Sequence, residues 1–321
     1  MRSYFNKKDL IYTVYKEGSF SNAARKLNMP QPSLSVMVKK IEDEIGQPLF
    51  DRTVKPLKLT SVGAEYIRVS EEMTRIEEDF ANYIDSLNKL QRGTLNIGSN
   101  QLLSSLVLPP HIAEFMTKYP GIQLSLTDAN STTLMNGVMN GTLDVVIDNV
   151  VPDPEIFDMK YLHTEYLLLA VPSVLDHSGL TDRVLSREDV LNGKHMEKVK
   201  PVSLSAFADV PFILMNKENN TREHTDELFR SEGFKPQVLL EIDRLVNLYN
   251  FVRTGIAASI VSDTLIRVMR DKDVDMHFYC LAPEFSARRI FVSWRKGRYF
   301  SKAMQLFTDT LDSSAFQIRK E

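Results

Sequence analysis

The chain has 321 residues, 43% of them hydrophobic and 25% charged, with a formal net charge of −3. This is the composition of a folded globular protein of two domains, or of one domain with a module attached, and it excludes a chain that is disordered in bulk. A single cysteine, Cys280, excludes a disulfide scaffold and a cysteine-rich zinc site.

The opening residues, MRSYFNKKDL, lack the apolar stretch of a secretory signal, and no apolar run reaches 18 residues. A cytoplasmic protein that does not span a membrane is therefore expected. The charge is unevenly spread: residues 1–60 carry +5, residues 61–90 carry −4 and the remainder −4. A basic head on an acidic body suits a polyanion such as double-stranded DNA, although short segments also vary in charge by chance.

In the head, Asn6 can cap a helix that buries Leu10, Ile11, Val14 and Tyr15 and ends at Gly18. Ser19 or Ser21 caps a short helix from Phe20 to Leu27, with Ala23 and Ala24 facing inward. Asn28-Met29-Pro30 reads as a turn, because Asn tolerates left-handed dihedrals and Pro starts helices. A longer helix, about Gln31 to Glu44, carries the stripe Leu34, Met37, Val38, Ile41 and Ile45 and stops at Gly46. Two helices joined by a three-residue turn make a helix-turn-helix over about 20–39. The second helix shows Gln31, Ser33, Ser35, Lys39 and Lys40 outward. Gln and Ser can bond base edges, and Lys can neutralise phosphate. Taken singly, each is also an ordinary solvated side chain. Leu57 and Leu59 alternate with Lys58, which predicts a hairpin with Arg52, Lys55 and Lys58 at or beside its tip.

A helix capped by Thr60 follows. Steps of four and three residues pick out Val62, Tyr66, Val69, Met73, Ile76, Phe80, Tyr83, Leu87 and Leu90, every one apolar or aromatic. A 3.5-residue period keeps such a seam facing one partner, and the same helix of a second chain fits it. Packing on its own domain is the other outcome. The domains are thus 1–60, a linker and dimerisation helix over 61–92, and a body over 93–321.

From Thr94 onward, strands and helices alternate, which predicts an α/β body with largely parallel sheets. Strands are expected at Thr94–Gly98, Ile122–Asp128, Val145–Ile147, 161–171, Phe212–Met215, 237–242, 257–262 and Arg288–Trp294, with a last helix from about Tyr299. The body divides into lobe one, about 93–163 and 267–321, and lobe two, about 164–266. Residues 176–203 read as a surface loop or a small helical insertion. Ligands of open α/β folds sit at the carboxyl ends of strands, against helix N-termini. That singles out Ser99, Asn100 and Gln101, then Ser131 and Thr132, then Asp148 and Asn149, and in lobe two Asn219, Asn220 and Thr221. Such donors suit a small carboxylate or other anion, or simply cap the helices. No paired histidines, phosphate loop or nucleophile motif stands out, so no enzyme, metal or cofactor is expected.

The head resembles the LysR-type transcriptional regulators. The residues that carry the likeness are Gly18-Ser19-Phe20, Ala23-Ala24, Leu27, Gln31-Pro32, Ser35, Ile41-Glu42, Gly46, Pro48-Leu49-Phe50, Arg52, Leu59-Thr60 and Gly63. In the body, Leu95 to Gly98, Gly141 to Asp144, Gly233-Phe234 and Trp294 to Gly297 are similar to the same family. The resemblance implies a winged helix-turn-helix, a linker-helix homodimer or dimer of dimers, and an effector domain of the bilobed type-2 periplasmic-binding fold. By the family motif it implies base reading by Gln31, Ser33 and Ser35 with Arg52 on the wing; Ser19, Ser21, Lys39 and Lys55 join them as DNA-contact candidates by position, and Val36, which stands where members often carry a long polar or basic residue, is a candidate for contact with a thymine methyl. The donors at the strand ends, Ser99, Asn100, Gln101, Ser131, Thr132, Asn149 and Asn219, are then candidates to hold a small-molecule effector, and RNA polymerase is a further expected partner. The rival readings are a solute-binding protein or enzyme of the same fold, and a DNA-binding protein whose body only assembles.

Overall fold

The computed structural model describes residues 4–54, 56–87, 93–197, 199–217, 219–269 and 275–311, apart from the side chains of 78, 79, 82 and 85–87. Lys55, Leu90 and the side chain of Leu87 lie outside the described residues. The chain divides into two compact units, Met1–Ile84 and Asp85–Glu321. Among the described residues, no helix is long and apolar enough to cross a membrane.

The first unit holds α1 (Lys8–Glu17), α2 (Phe20–Lys26), α3 (Gln31–Ile45), the hairpin strands β1 (Phe50–Asp51) and β2 (Lys58–Leu59), and most of α4 (Ser61–Leu87). Apolar residues at helical spacing bring Ile11, Val14, Ala23, Ala24, Leu34, Val38 and Ile41 into one core. Lys7, not Asn6, occupies the N-cap of α1. Tyr15 is exposed rather than buried, one position past the stripe that Ile11 and Val14 define. The turn between α2 and α3 uses Asn28 at φ 51°, and Gly46 closes α3 at φ 82°.

The hairpin is fastened to α3 from beneath. Glu42 is buried, and its Oε1 accepts the backbone N–H groups of Leu49 (2.8 Å) and Phe50 (3.3 Å). Thr60 Oγ1 donates to the Pro48 carbonyl at 2.6 Å and accepts Gly63 N–H at 2.9 Å, which caps α4. The early part of α4 belongs to this core. Tyr66 is 5% exposed, stacks on Phe5 at 4.6 Å and donates to the Tyr4 carbonyl at 2.9 Å. Burial pushes its phenol up to about 12.

The second unit runs β3 (Gly93–Ser99), a short π-turn, α5 (Leu108–Lys118), β4 (Ile122–Asp128), α6 (Ser131–Met139), β5 (Val145–Asp148) and β6 (Phe157–Pro172). Then come α7 (Arg187–Leu191), β7 (Pro211–Met215), α8 (Asn220–Ser231), β8 (Gln237–Ile242), α9 (Leu245–Val252) and β9 (Ser259–Ser262). The last elements are α10 (Asp263–Val268), β10 (Met276–Cys280), α11 (Pro283–Ser286), β11 (Ala287–Arg295) and α12 (Lys302–Thr310).

The long strand β6 joins two lobes. Its first half pairs with β11, and its second half with β9 and β10. The described sheet order is β10-β6-β11-β5-β3-β4, with β9 also on β6. Among the described strands, only the pairs β3–β4, β3–β5 and β7–β8 are parallel, so the sheets are mixed rather than largely parallel. The physical reason is that the chain crosses between lobes along the sheet, and strands that return from the other lobe enter antiparallel. The return also differs from the lobe boundary expected near 267. Met276–Cys280 pairs with Leu168–Pro172 inside lobe two, so the chain goes back between Cys280 and Ala287.

Successive residues of β6 face opposite sides. Leu168 and Ala170 enter the core with α9 and α10, while Leu167, Leu169 and Val171 enter the core with Phe212, Phe229 and Tyr279. Residues 176–203 are not a surface loop. Leu185, Val190, His195 and Val202 are buried, and Leu185 bridges to Phe278, so the segment is an inserted helical piece of the wall of lobe two. Cys280 is buried there, and burial pushes its thiol up to about 11.

Candidate functional site

The head presents one face of α3. Leu34, Val38 and Ile41 point into the core, and this turns Gln31, Ser33, Val36, Lys39 and Lys40 outward. Gln31 Nε2 donates to Ser35 Oγ at 2.8 Å, which holds the amide along the helix. Val36 is 68% exposed, an apolar contact amid polar ones. Lys39 is paired only loosely, with Asp43 at 3.6 Å across exposed surface. Ser19 is the N-cap of α2 and Ser21 is exposed in its first turn.

Arg52 is more tied down than a free wing-tip cation. Its guanidinium bonds Glu42 Oε2 at 2.7 Å and lies over the Phe20 ring at 5.0 Å, with 43% of the side chain exposed. It thus links the hairpin, α2 and α3, and only its outer edge is open to a polyanion.

The seam on α4 is divided. Tyr66 is committed to the head, so it cannot face a second chain, contrary to the expected seam. Val62 packs partly buried on the same core, and Val69 and Met73 are half-buried. Beyond them Ile76, Phe80 and Tyr83 are 61%, 65% and 45% exposed.

The second unit contains a cleft of about 560 Å³. Asn100, Gln101, Ser131, Thr132, Asn149 and Asn219 line it. Ser99 does not. It is fully buried and its hydroxyl donates to the Ile147 carbonyl at 2.8 Å, because the strand alternation turns it into the sheet. Several lining residues do cap helices: Asn219 accepts Thr221 N–H at 2.8 Å, and Asn100 accepts Leu103 N–H at 3.1 Å. Asn130, which also lines the cleft, caps α6 through Thr133 N–H at 2.9 Å.

The lining is more charged than the expected ring of neutral donors. Asp128, Asp148, Glu223 and Asp243 line it together with Arg244 and Arg288. A largely buried chain of hydrogen bonds links both lobes. Asn100 Nδ2 donates to Asp148 Oδ1 (2.8 Å), as does Asn149 N–H (2.8 Å). Asn149 Nδ2 donates to Glu165 Oε1 (2.8 Å), which also takes Arg288 (2.8 Å), and Arg288 donates onward to Thr221 Oγ1 (3.1 Å). Arg288 and Glu165 are not among the residues that sequence reasoning singles out for the site, yet a signal exists. Arg288 is in phase with buried Ile290 and Val292, and Glu165 with buried Leu167 and Leu169. A charge at an inward strand position needs a buried partner.

Residues 88–315 match the LysR substrate binding domain, and residues 6–64 match the bacterial regulatory helix-turn-helix protein of the lysR family. The uncharacterized HTH-type transcriptional regulator YcgK of Bacillus subtilis (strain 168) is 26% identical over 297 residues, 92% of this chain and 90% of its own. A probable RuBisCO transcriptional regulator of Synechocystis is 26% identical over 305 residues, 93% of this chain and 82% of its own. Among solved structures, a full-length, cysteine-substituted OxyR of Pseudomonas aeruginosa superposes with a TM-score of 0.66 at 19% identity, covering 97% of this chain and 96% of its own. CbnR complexed with its target DNA superposes with a TM-score of 0.62 at 19% identity, covering 97% and 99%. The fold, the basic head and the polar cleft agree with the two family matches: this chain belongs to the LysR family of transcriptional regulators, with a DNA-binding helix-turn-helix and an effector-binding domain.

Proposed function

We propose that α3 reads operator DNA in the major groove through Gln31, Ser33, Ser35 and Val36, while Lys39 and the open edge of Arg52 meet phosphate. The carrying observation is the division of α3 into a buried apolar stripe and an exposed face of base-reading side chains. Ser19 and Ser21, at the start of α2, are positioned for backbone contacts. The chain acts as a homodimer, or a dimer of dimers, held by Ile76, Phe80 and Tyr83, with Val69 and Met73 at the edge of the contact. Two heads then read two half-sites related by a two-fold axis.

The cleft holds the effector, contacted by Asn100, Gln101, Ser131, Thr132, Asn149 and Asn219. A ligand that touches both lobes can shift transcription only by favouring one arrangement of the assembly over another. The hydrogen-bonded chain from Asn100 to Thr221 supports this reading, because it gives the two lobes one shared polar floor. The test for DNA reading is selection from a random duplex library. Gln31→Ala should relax preference at particular bases, by about 1–3 kcal/mol at each. A uniform loss across all sequences would show that Gln31 only positions the head.

A further inference from the structure

The floor of the cleft carries an unbalanced buried charge. Asp148 ends β5 and is 1% exposed. Its Oδ1 takes two hydrogen bonds, from Asn100 and from Asn149 N–H. Its Oδ2 is equally buried and accepts none among the described residues. Glu165, also 1% exposed, has Oε2 in the same condition. The cation that joins this group, buried Arg288, has one terminal nitrogen on Glu165 and the other on Thr221. With both carboxylates ionised, Asp148, Glu165 and Arg288 together carry a net −1. The remaining charges of the lining, Asp128, Glu223 and Asp243 against Arg244, add to that sign. An entering anion would meet like charge in a partly desolvated cleft, whereas a cationic N–H group that displaces the cover over Oδ2 would satisfy this acceptor and reduce the excess.

We propose that the effector carries a protonated nitrogen, an amine, amidine or guanidine, that donates to Oδ2 of Asp148. This rests on the reading of the cleft as the effector site, and it replaces the simple carboxylate expected from the sequence. Asp148 is selected because, among the described residues, it alone combines burial, a place in the cleft lining and an unfilled carboxylate oxygen. Asn100 and Asn149 hold Oδ1, so the carboxylate is fixed in orientation before the ligand arrives.

The experiment is thermal melting of the full chain and of Asp148→Asn, with methylammonium, L-lysine or putrescine and with acetate, glutarate or benzoate, at equal concentration and ionic strength. At least one nitrogen cation should raise the Tm of the wild type, and none should raise that of Asp148→Asn. Asp148→Ser serves as a second neutral variant should the first fold poorly. Stabilisation by carboxylates alone would overturn the assignment while leaving the cleft an effector site. No response to any probe, or an equal response in the wild type and both neutral variants, would overturn it and remove Asp148 from recognition.

Discussion

Gly63 shows how one residue can be required by a neighbour rather than by its own backbone. A Cβ at this position would sit 1.9 Å from the Leu49 carbonyl oxygen. That oxygen is itself held by Thr60 N–H at 3.0 Å, so the hairpin cannot step aside. Gly63→Ala should therefore destabilise the head by about 1–3 kcal/mol, read as a lower denaturant midpoint at unchanged slope. An unchanged midpoint would show that α4 can move away from the hairpin. Glu42 makes the complementary point. It lies on a helix between buried Ile41 and exposed Asp43, and three groups of the hairpin converge on its carboxylate. Neither requirement is visible in local periodicity, since both arise where segments distant in sequence meet.

Among the elements, the inserted segment after β6 is anchored by one carboxylate. Burial alone would raise the Asp176 carboxyl. Hydrogen bonds donated by Tyr279, His277 and Ser178 outweigh it and hold the group at about 2. A carboxylate held low contributes stability above its ordinary value, and that contribution disappears as pH falls from about 4 to about 2. Asp176→Asn should thus lower stability at neutral pH and flatten the loss of stability between those two values. Parallel pH–stability curves for the two proteins would show that the anchor does not titrate with folding. The strand β10, which supplies His277 and Tyr279, is absent from the strands that the sequence predicts. Its residues Met276–Cys280 are a short apolar run, and such runs reveal strand pairing only once β6 is beside them. The long β6 itself is legible in its second half, where apolar residues run without a break from Tyr166 to Val171, but not over its more polar start at Phe157.

At the scale of the whole molecule, the question is what covers the outer half of α4. Ile76, Phe80 and Tyr83 present an exposed apolar row on a helix whose earlier turns are packed on the head. Ile76→Asp should shift the protein toward monomer, and sedimentation velocity at micromolar concentration should show the smaller species. An unchanged assembly would move the principal interface elsewhere. The same variant should leave the head folded, because Ile76 has no place in the core that Tyr66 and Ile67 join.

The amino-acid order alone determined the helices of the head, its turn residues, the exposed face of α3 and the family, because each depends on spacing within a few residues or on a compact local signature. It also placed most of the neutral cleft residues, since these follow strand ends. Only the tertiary structure decided that Tyr66 belongs to the head, that Ser99 is buried, and that Asp148, Glu165 and Arg288 form one buried charged chain. Those facts depend on which segments pack together across long sequence separations. A buried charge acquires its meaning from the partner that the fold brings to it, or leaves out.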